Sequence, residues 1–171
     1  SGKGALFRRE NDRSHAGSIS WRHGLRVLMN LPFADALLYG YVARRARGPV
    51  SSYDAAELPA IRRILLLLTT GLGDAVLSSP VFPALRAALP QADIRLFCRA
   101  AWAPLFTADP DLSEVIPYYG KYRKFFSAIG KLRSFAPELA VILHGNDPDI
   151  VPLAYLAGSR FVIRVPTRGT R

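Results

Sequence analysis

The stretch Arg63-Ile-Leu-Leu-Leu-Leu-Thr-Thr-Gly-Leu-Gly-Asp74 constrains the fold more than any other part of this chain. Four leucines after Ile64 leave no polar face, so the segment predicts a strand covered on both sides, as in a parallel sheet flanked by helices. Ligands of such sheets lie at the carboxyl ends of the strands. There the sequence turns to hydroxyls and glycines: Thr69 and Thr70 offer hydrogen-bonding groups, and Gly71 and Gly73 let the backbone turn sharply and approach a ligand. Asp74 follows at or near the start of a helix. On these residues alone it could be a helix cap, a general base, or both.

The rest of the chain repeats the alternation. Strands are expected at about 63–69, 93–98, 114–118, 139–143 and 160–165. Helices are expected from the glycine turn to Leu89 with interruptions at Pro80 and Pro83, and then at 101–107, 124–135 and 150–157. Strand and helix in turn, with short connections, predict right-handed crossovers and an α/β domain over 60–171. With 171 residues, half of them apolar, the chain can bury one substantial core.

What precedes that domain differs in kind. Residues 1–20 are polar and charged, without periodicity, and are expected to be disordered. Residues 21–59 read as a helical arm and a linker: an apolar block from Trp21 to Arg47, bracketed by arginines, then a stretch punctuated by Pro49, Ser51, Ser52 and Pro59. Asn30, Pro32, Asp35 and Gly40 interrupt the block too often for a membrane span. A helix packed on the domain and an interfacial amphipathic helix both fit it, the packed helix slightly better. The chain starts at Ser1 without an initiator Met and stops at Arg171 just after the last expected strand, so it is expected to be incomplete at both ends.

Composition narrows the chemistry. One cysteine, Cys98, excludes an internal disulfide framework and suits a reducing compartment, and three histidines form no cluster at metal-ligand spacing. The formal charge of +10 favours anionic partners: nucleic acid, acidic lipid or phosphorylated sugar. No aromatic-interleaved ribonucleoprotein pattern or zinc-finger spacing raises nucleic acid above the others. The Gly71-Leu72-Gly73-Asp74 turn is not a dinucleotide fingerprint, because Val76 stands where the third glycine belongs, and no Walker lysine follows it.

Several ordered motifs over about 100 residues carry a resemblance. They are Ile64 to Asp74 with Pro80 six residues on, Pro83-Ala-Leu-Arg86-Ala-Ala-Leu-Pro90, Asp93-Ile-Arg-Leu, Val115-Ile-Pro117 followed by Lys121-Tyr-Arg-Lys124, and Leu139-Ala-Val-Ile-Leu-His144-Gly145. Together they resemble the N-terminal half of glycosyltransferase family nine, the ADP-heptose:lipopolysaccharide heptosyltransferases.

The resemblance implies a Rossmann-like parallel sheet with helices on both faces, the N-terminal domain of a GT-B glycosyltransferase, preceded here by a partly helical arm. It implies an acceptor-binding portion of an inverting enzyme that moves a heptose or related sugar from an ADP-sugar to a lipopolysaccharide core acceptor at the cytoplasmic face of a bacterial inner membrane. Asp74 matches the base that deprotonates the acceptor hydroxyl. Thr69, Thr70, Gly71 and Gly73 match the active-centre loop, and Lys121, Arg123 and Lys124 fall where the family binds acidic acceptor groups. At the mouth of the fourth strand, His144 and Asn146 become candidate sugar contacts. No metal and no cofactor are implied. The ADP-sugar is a cosubstrate held mainly by a C-terminal domain absent from this sequence, so the fragment alone is expected to be inactive. The partners implied are an anionic glycolipid and a nucleotide-sugar, with a membrane surface compatible and no nucleic acid expected.

Two departures stand against it: about sixty residues precede the first strand, and His144-Gly-Asn-Asp147-Pro-Asp149 replaces a Gln-Gly loop with a downstream lysine. The alternative is a non-catalytic Rossmann-like module that binds an anionic glycolipid or a protein through its basic face.

Overall fold

The computed structural model describes residues 32–45, 60–145 and 147–164. The expected tail at 1–20, the start of the apolar block, the linker at 48–59, Asn146 and the chain end from 165 lie outside the described residues. In chain order the elements are α1 (Pro32–Arg45), β1 (Arg63–Leu68), α2 (Leu72–Ser78), α3 (Val81–Ala88), β2 (Asp93–Arg99), α4 (Ala103–Phe106), β3 (Glu114–Tyr118), α5 (Phe125–Phe135), β4 (Leu139–His144), α6 (Ile150–Leu156) and β5 (Phe161–Arg164).

The five strands form one sheet in the order β3-β2-β1-β4-β5, and every neighbouring pair is parallel. The leucine run lies at its centre as expected, with Ile64 through Leu68 fully buried. Because successive side chains of a strand alternate between faces, the run serves two cores. Ile64, Leu66 and Leu68 pack with Ala75, Phe82 and Phe106 from α2, α3 and α4. Leu65 and Leu67 face Leu132 and Phe135 of α5 and Ile150 and Leu153 of α6. This is the Rossmann-like α/β architecture.

The helical stretch expected to reach Leu89 with interruptions at Pro80 and Pro83 is broken at Pro80 into two helices. The Ser79 amide closes α2 on the Val76 carbonyl at 3.2 Å, and Pro80 becomes the N-cap of α3. Pro83 is tolerated because it lies in the first turn of α3, where amides have no partner within the helix. Within the apolar block, α1 rests against α6 with Val42 buried, while Leu37, Tyr39 and Tyr41 stay exposed. No described helix is long and apolar enough to cross a membrane.

The topology fixes where a ligand can enter. The chain steps outward from β1 to β3 and then returns to lay β4 on the other side of β1. Connections leaving β1 and β4 therefore diverge at the carboxyl edge of the sheet, and the crevice between them is the usual ligand site of an open α/β sheet.

Candidate functional site

At that crevice lies an open cleft of about 290 Å³ lined by Thr69, Thr70, Gly71, Asp74, Arg99 and Asp147. Four of the six come from the glycine turn and its helix, one from the end of β2 and one from the segment after β4. Backbone geometry makes the turn. The Thr69 amide donates to the His144 carbonyl at 2.9 Å, extending the β1–β4 ladder by one residue, and Gly71 then takes an extended conformation as N-cap of α2.

Asp74 falls in the first turn of α2, three residues after the cap, and its side chain makes no capping hydrogen bond. No described residue pairs with or donates to its carboxylate. An acidic residue in a first helical turn is favoured by the helix dipole, but the local structure leaves its oxygens free for something in the cleft.

The turn is held from β2. Arg99 donates from Nε to the Thr69 carbonyl, and its Nη2 lies 3.2 Å from Asp147 Oδ2. Trp102 donates from its indole nitrogen to the Thr70 carbonyl at 3.0 Å. Both threonine carbonyls are thus occupied, whereas the buried hydroxyls of Thr69 and Thr70 have no hydrogen-bond partner among the described residues. A buried polar group without a partner costs about 1–3 kcal/mol, so a ligand that meets these hydroxyls gains what the empty fold forgoes. Gly145 packs close to the turn. A Cβ there would come within 3.2 Å of Ile142 and Ile150 methyl groups and 3.4 Å of Thr69 Oγ1, so the β4 exit lies directly against the turn.

The basic segment occupies a different place. Lys121 Nζ lies 2.8 Å from Asp35 Oδ2 of α1, and Tyr122 donates its hydroxyl to the same carboxylate. Burial alone would raise the Asp35 pKa, but those two hydrogen bonds outweigh it and hold the carboxyl below its ordinary value. Lys124 Nζ stands 3.8 Å from the Tyr119 ring centroid. Arg123 and Lys124 line a second cavity, of about 200 Å³, with Tyr119, Ser127 and Lys131, and it shares no residue with the Asp74 cleft.

Buried Asp149 holds this segment from below. It accepts from the Tyr118 hydroxyl at 2.9 Å and from the Tyr122 amide at 3.1 Å. Burial raises the Asp149 pKa despite both hydrogen bonds. Tyr122 and Lys124 both have positive φ, 56° and 53°, and such backbone persists only where its surroundings impose it.

Of the residues singled out in sequence, then, Thr69, Thr70, Gly71 and Asp74 meet in one cleft. Gly73 is the second residue of α2 and does not line it. The side chain of His144 is exposed at the end of β4 and does not line it either. Lys121 is committed to α1, and Arg123 and Lys124 face the other cavity. Arg99 and Asp147 were missed; the signal available was their place, each just at or past the end of a strand. Among the described residues no cluster of His, Cys, Asp and Glu could hold a metal.

No protein-family model matches the chain, and no curated protein matches it. Solved structures similar to part of the chain include two glycosyltransferases. The E. coli ADP-heptose lps heptosyltransferase II is 24% identical with a TM-score of 0.52, over 60% of this chain and 30% of that one. A glycosyl transferase family 9 protein from Veillonella parvula DSM 2008 is 23% identical with a TM-score of 0.42, over 56% of this chain and 28% of that one. The matched region therefore spans less than a third of either structure's length. At these identities the likeness is one of architecture, and the chain shares the fold of part of the E. coli heptosyltransferase II structure.

Proposed function

We propose that this chain is the acceptor-binding N-terminal portion of an inverting GT-B glycosyltransferase, with Asp74 as general base. One observation carries the reading: a carboxylate unpaired among the described residues lines an open cleft at the point where strand order reverses. In the proposed step, Asp74 takes the proton of an acceptor hydroxyl, the oxygen attacks the anomeric carbon of a nucleotide-sugar from the opposite face, and the bond to the nucleoside diphosphate breaks. The Thr69 and Thr70 hydroxyls orient the acceptor.

The donor in this reading is an ADP-heptose and the acceptor an anionic lipopolysaccharide core, handled at the cytoplasmic face of the inner membrane. The family motifs in the sequence and the fold shared with the E. coli heptosyltransferase support it. Arg123, Lys124 and Lys131, exposed beside their own cavity, suit the acidic groups of such an acceptor. His144 and Asn146 remain candidate sugar contacts, and Lys121 joins the cationic set only when released from Asp35.

The test is transfer from ADP-heptose to a lipopolysaccharide core acceptor by the longest natural form of the protein, native against Asp74→Asn. Loss of a general base typically lowers the rate about 100-fold to 10,000-fold. A fall in kcat of that order supports the reading, unchanged kcat removes Asp74 as the base, and no transfer by the native protein favours a binding module.

A further inference from the structure

We propose that Arg99 and Asp147 form a specificity-determining pair that recognises a neutral, polyhydroxylated sugar ring in the Asp74 cleft and rejects a ring bearing its own carboxylate. The inference deepens the proposed function and rests on it for the identity of the ring as an acceptor.

The geometry of the pair is half used. Arg99 spends Nε on the Thr69 carbonyl and Nη2 on Asp147 Oδ2. Among the described residues nothing bonds to its Nη1, and nothing donates to Asp147 Oδ1. Both side chains line the cleft, Arg99 with 39% and Asp147 with 20% of its side chain exposed. A fixed donor and a fixed acceptor, held in register by an ion pair, match two adjacent hydroxyls, since each hydroxyl both donates and accepts.

Two further observations point the same way. The Thr69 and Thr70 hydroxyls are buried and unpartnered among the described residues, and both residues line the same cleft, so unsatisfied polar groups gather at its wall. The local charge is also opposite to that of the chain. Asp74 and Asp147 against Arg99 give the cleft a formal charge of −1, whereas the whole sequence carries +10. A carboxylate on the entering ring would face two like charges, and Asp147 already offsets the charge of the one guanidinium. Anionic groups fit the cavity of Arg123, Lys124 and Lys131 instead. The fold thus divides the recognition of an acidic glycolipid, with the neutral reacting ring at the cleft and the acidic groups at the basic segment.

Ligand-observed NMR on the 171-residue chain tests this with two probes, a neutral methyl heptopyranoside and the methyl glycoside of a sugar acid. The expected result is binding of the neutral glycoside, at least tenfold weaker binding of the sugar acid, and loss of the neutral glycoside by tenfold or more in Asp147→Ala. Asp147→Glu retains a carboxylate oxygen for Arg99 and a second, open acceptor oxygen, and is expected to stay within about threefold of the native affinity, a rescue that a merely structural aspartate would not show. Far-UV circular dichroism and a thermal midpoint identify any variant that has not folded, and Asp147→Glu then decides alone. No binding of the neutral glycoside, equal binding of the sugar acid, or native affinity in folded Asp147→Ala overturns the proposal. The two readings fail separately. Glycoside binding that needs Asp147 without any sugar transfer removes the transferase and keeps the pair. Transfer whose KM for a neutral acceptor ignores Asp147→Ala removes the pair and keeps the transferase.

Discussion

Asp74 and Asp147 line one cleft, and a single guanidinium makes them different. Arg99 pairs with Asp147 and leaves Asp74 with no partner among the described residues. Two similar side chains are therefore placed differently, one held by an ion pair and one open to the cleft. Asp149 shows a third fate. It is fully buried, its pKa is raised by that burial, and its two oxygens are taken by Tyr118 and the Tyr122 amide. A carboxyl whose folded pKa exceeds its unfolded value contributes stability that is present below the unfolded pKa and lost as pH rises through the folded one. Asp149→Asn can keep both contacts, because its oxygen can face the Tyr122 amide while its NH₂ donates to the Tyr118 oxygen. Urea unfolding at pH 4 and pH 7 should therefore show the native protein losing stability relative to Asp149→Asn at the higher pH, with an equal gap at both values contradicting the assignment. At this scale the sequence announced Asp74, through the glycine turn that precedes it. It did not announce Arg99, which looks like any terminal strand residue until the β1–β2 register sets it beside the Thr69 turn.

Elements were more legible than residues. The strands stood out because burial on both faces forces continuous apolar runs, and β3 at Glu114–Tyr118 has the expected bounds. The break between α2 and α3 followed from the missing amide of Pro80. The docking of α1 was only half legible. Its apolar positions favoured packing, but its partnership with the basic segment joins Asp35 to Lys121 across 86 residues, and no local periodicity encodes such a contact. That contact makes α1 a brace for the 119–124 segment and draws Lys121 away from any acceptor. Because the folded pKa of Asp35 is depressed, its contribution is present above the unfolded value and lost as pH falls through the folded one. Limited proteolysis should find α1 protected near pH 7 and released as pH drops below about 4, where a free aspartate protonates. Asp35→Ala should release it at neutral pH. Unaltered protection in that variant would show that Val42 and the α6 contact suffice without the ion pair.

Across the whole molecule, the positive charge is less available than its total suggests. Arg86 is committed to the carbonyls of Pro90, Ala92 and Asp111, Arg95 to Asp93 and Glu114, and Arg63 to Glu138. These arginines fasten strand ends and loops, so composition overstated the basic surface. The fold also supplies a reporter of its own integrity. Cys98 is fully buried in the sheet centre, and burial pushes its thiol up to about 12. A thiol reagent at pH 8 should leave the folded chain unmodified over minutes and label it at once in denaturant. Rapid labelling without denaturant would mean the two cores do not close as described.

The central claim is that an acceptor hydroxyl meets Asp74 at the mouth of β1, and a crystal structure with a bound core-oligosaccharide acceptor measures it directly. The expected outcome is a sugar hydroxyl about 2.6–3.2 Å from an Asp74 carboxylate oxygen, with the ring against Thr69, Thr70 and Asp147. An acceptor seated wholly in the cavity of Arg123, Lys124 and Lys131, with no hydroxyl within reach of Asp74, would contradict it.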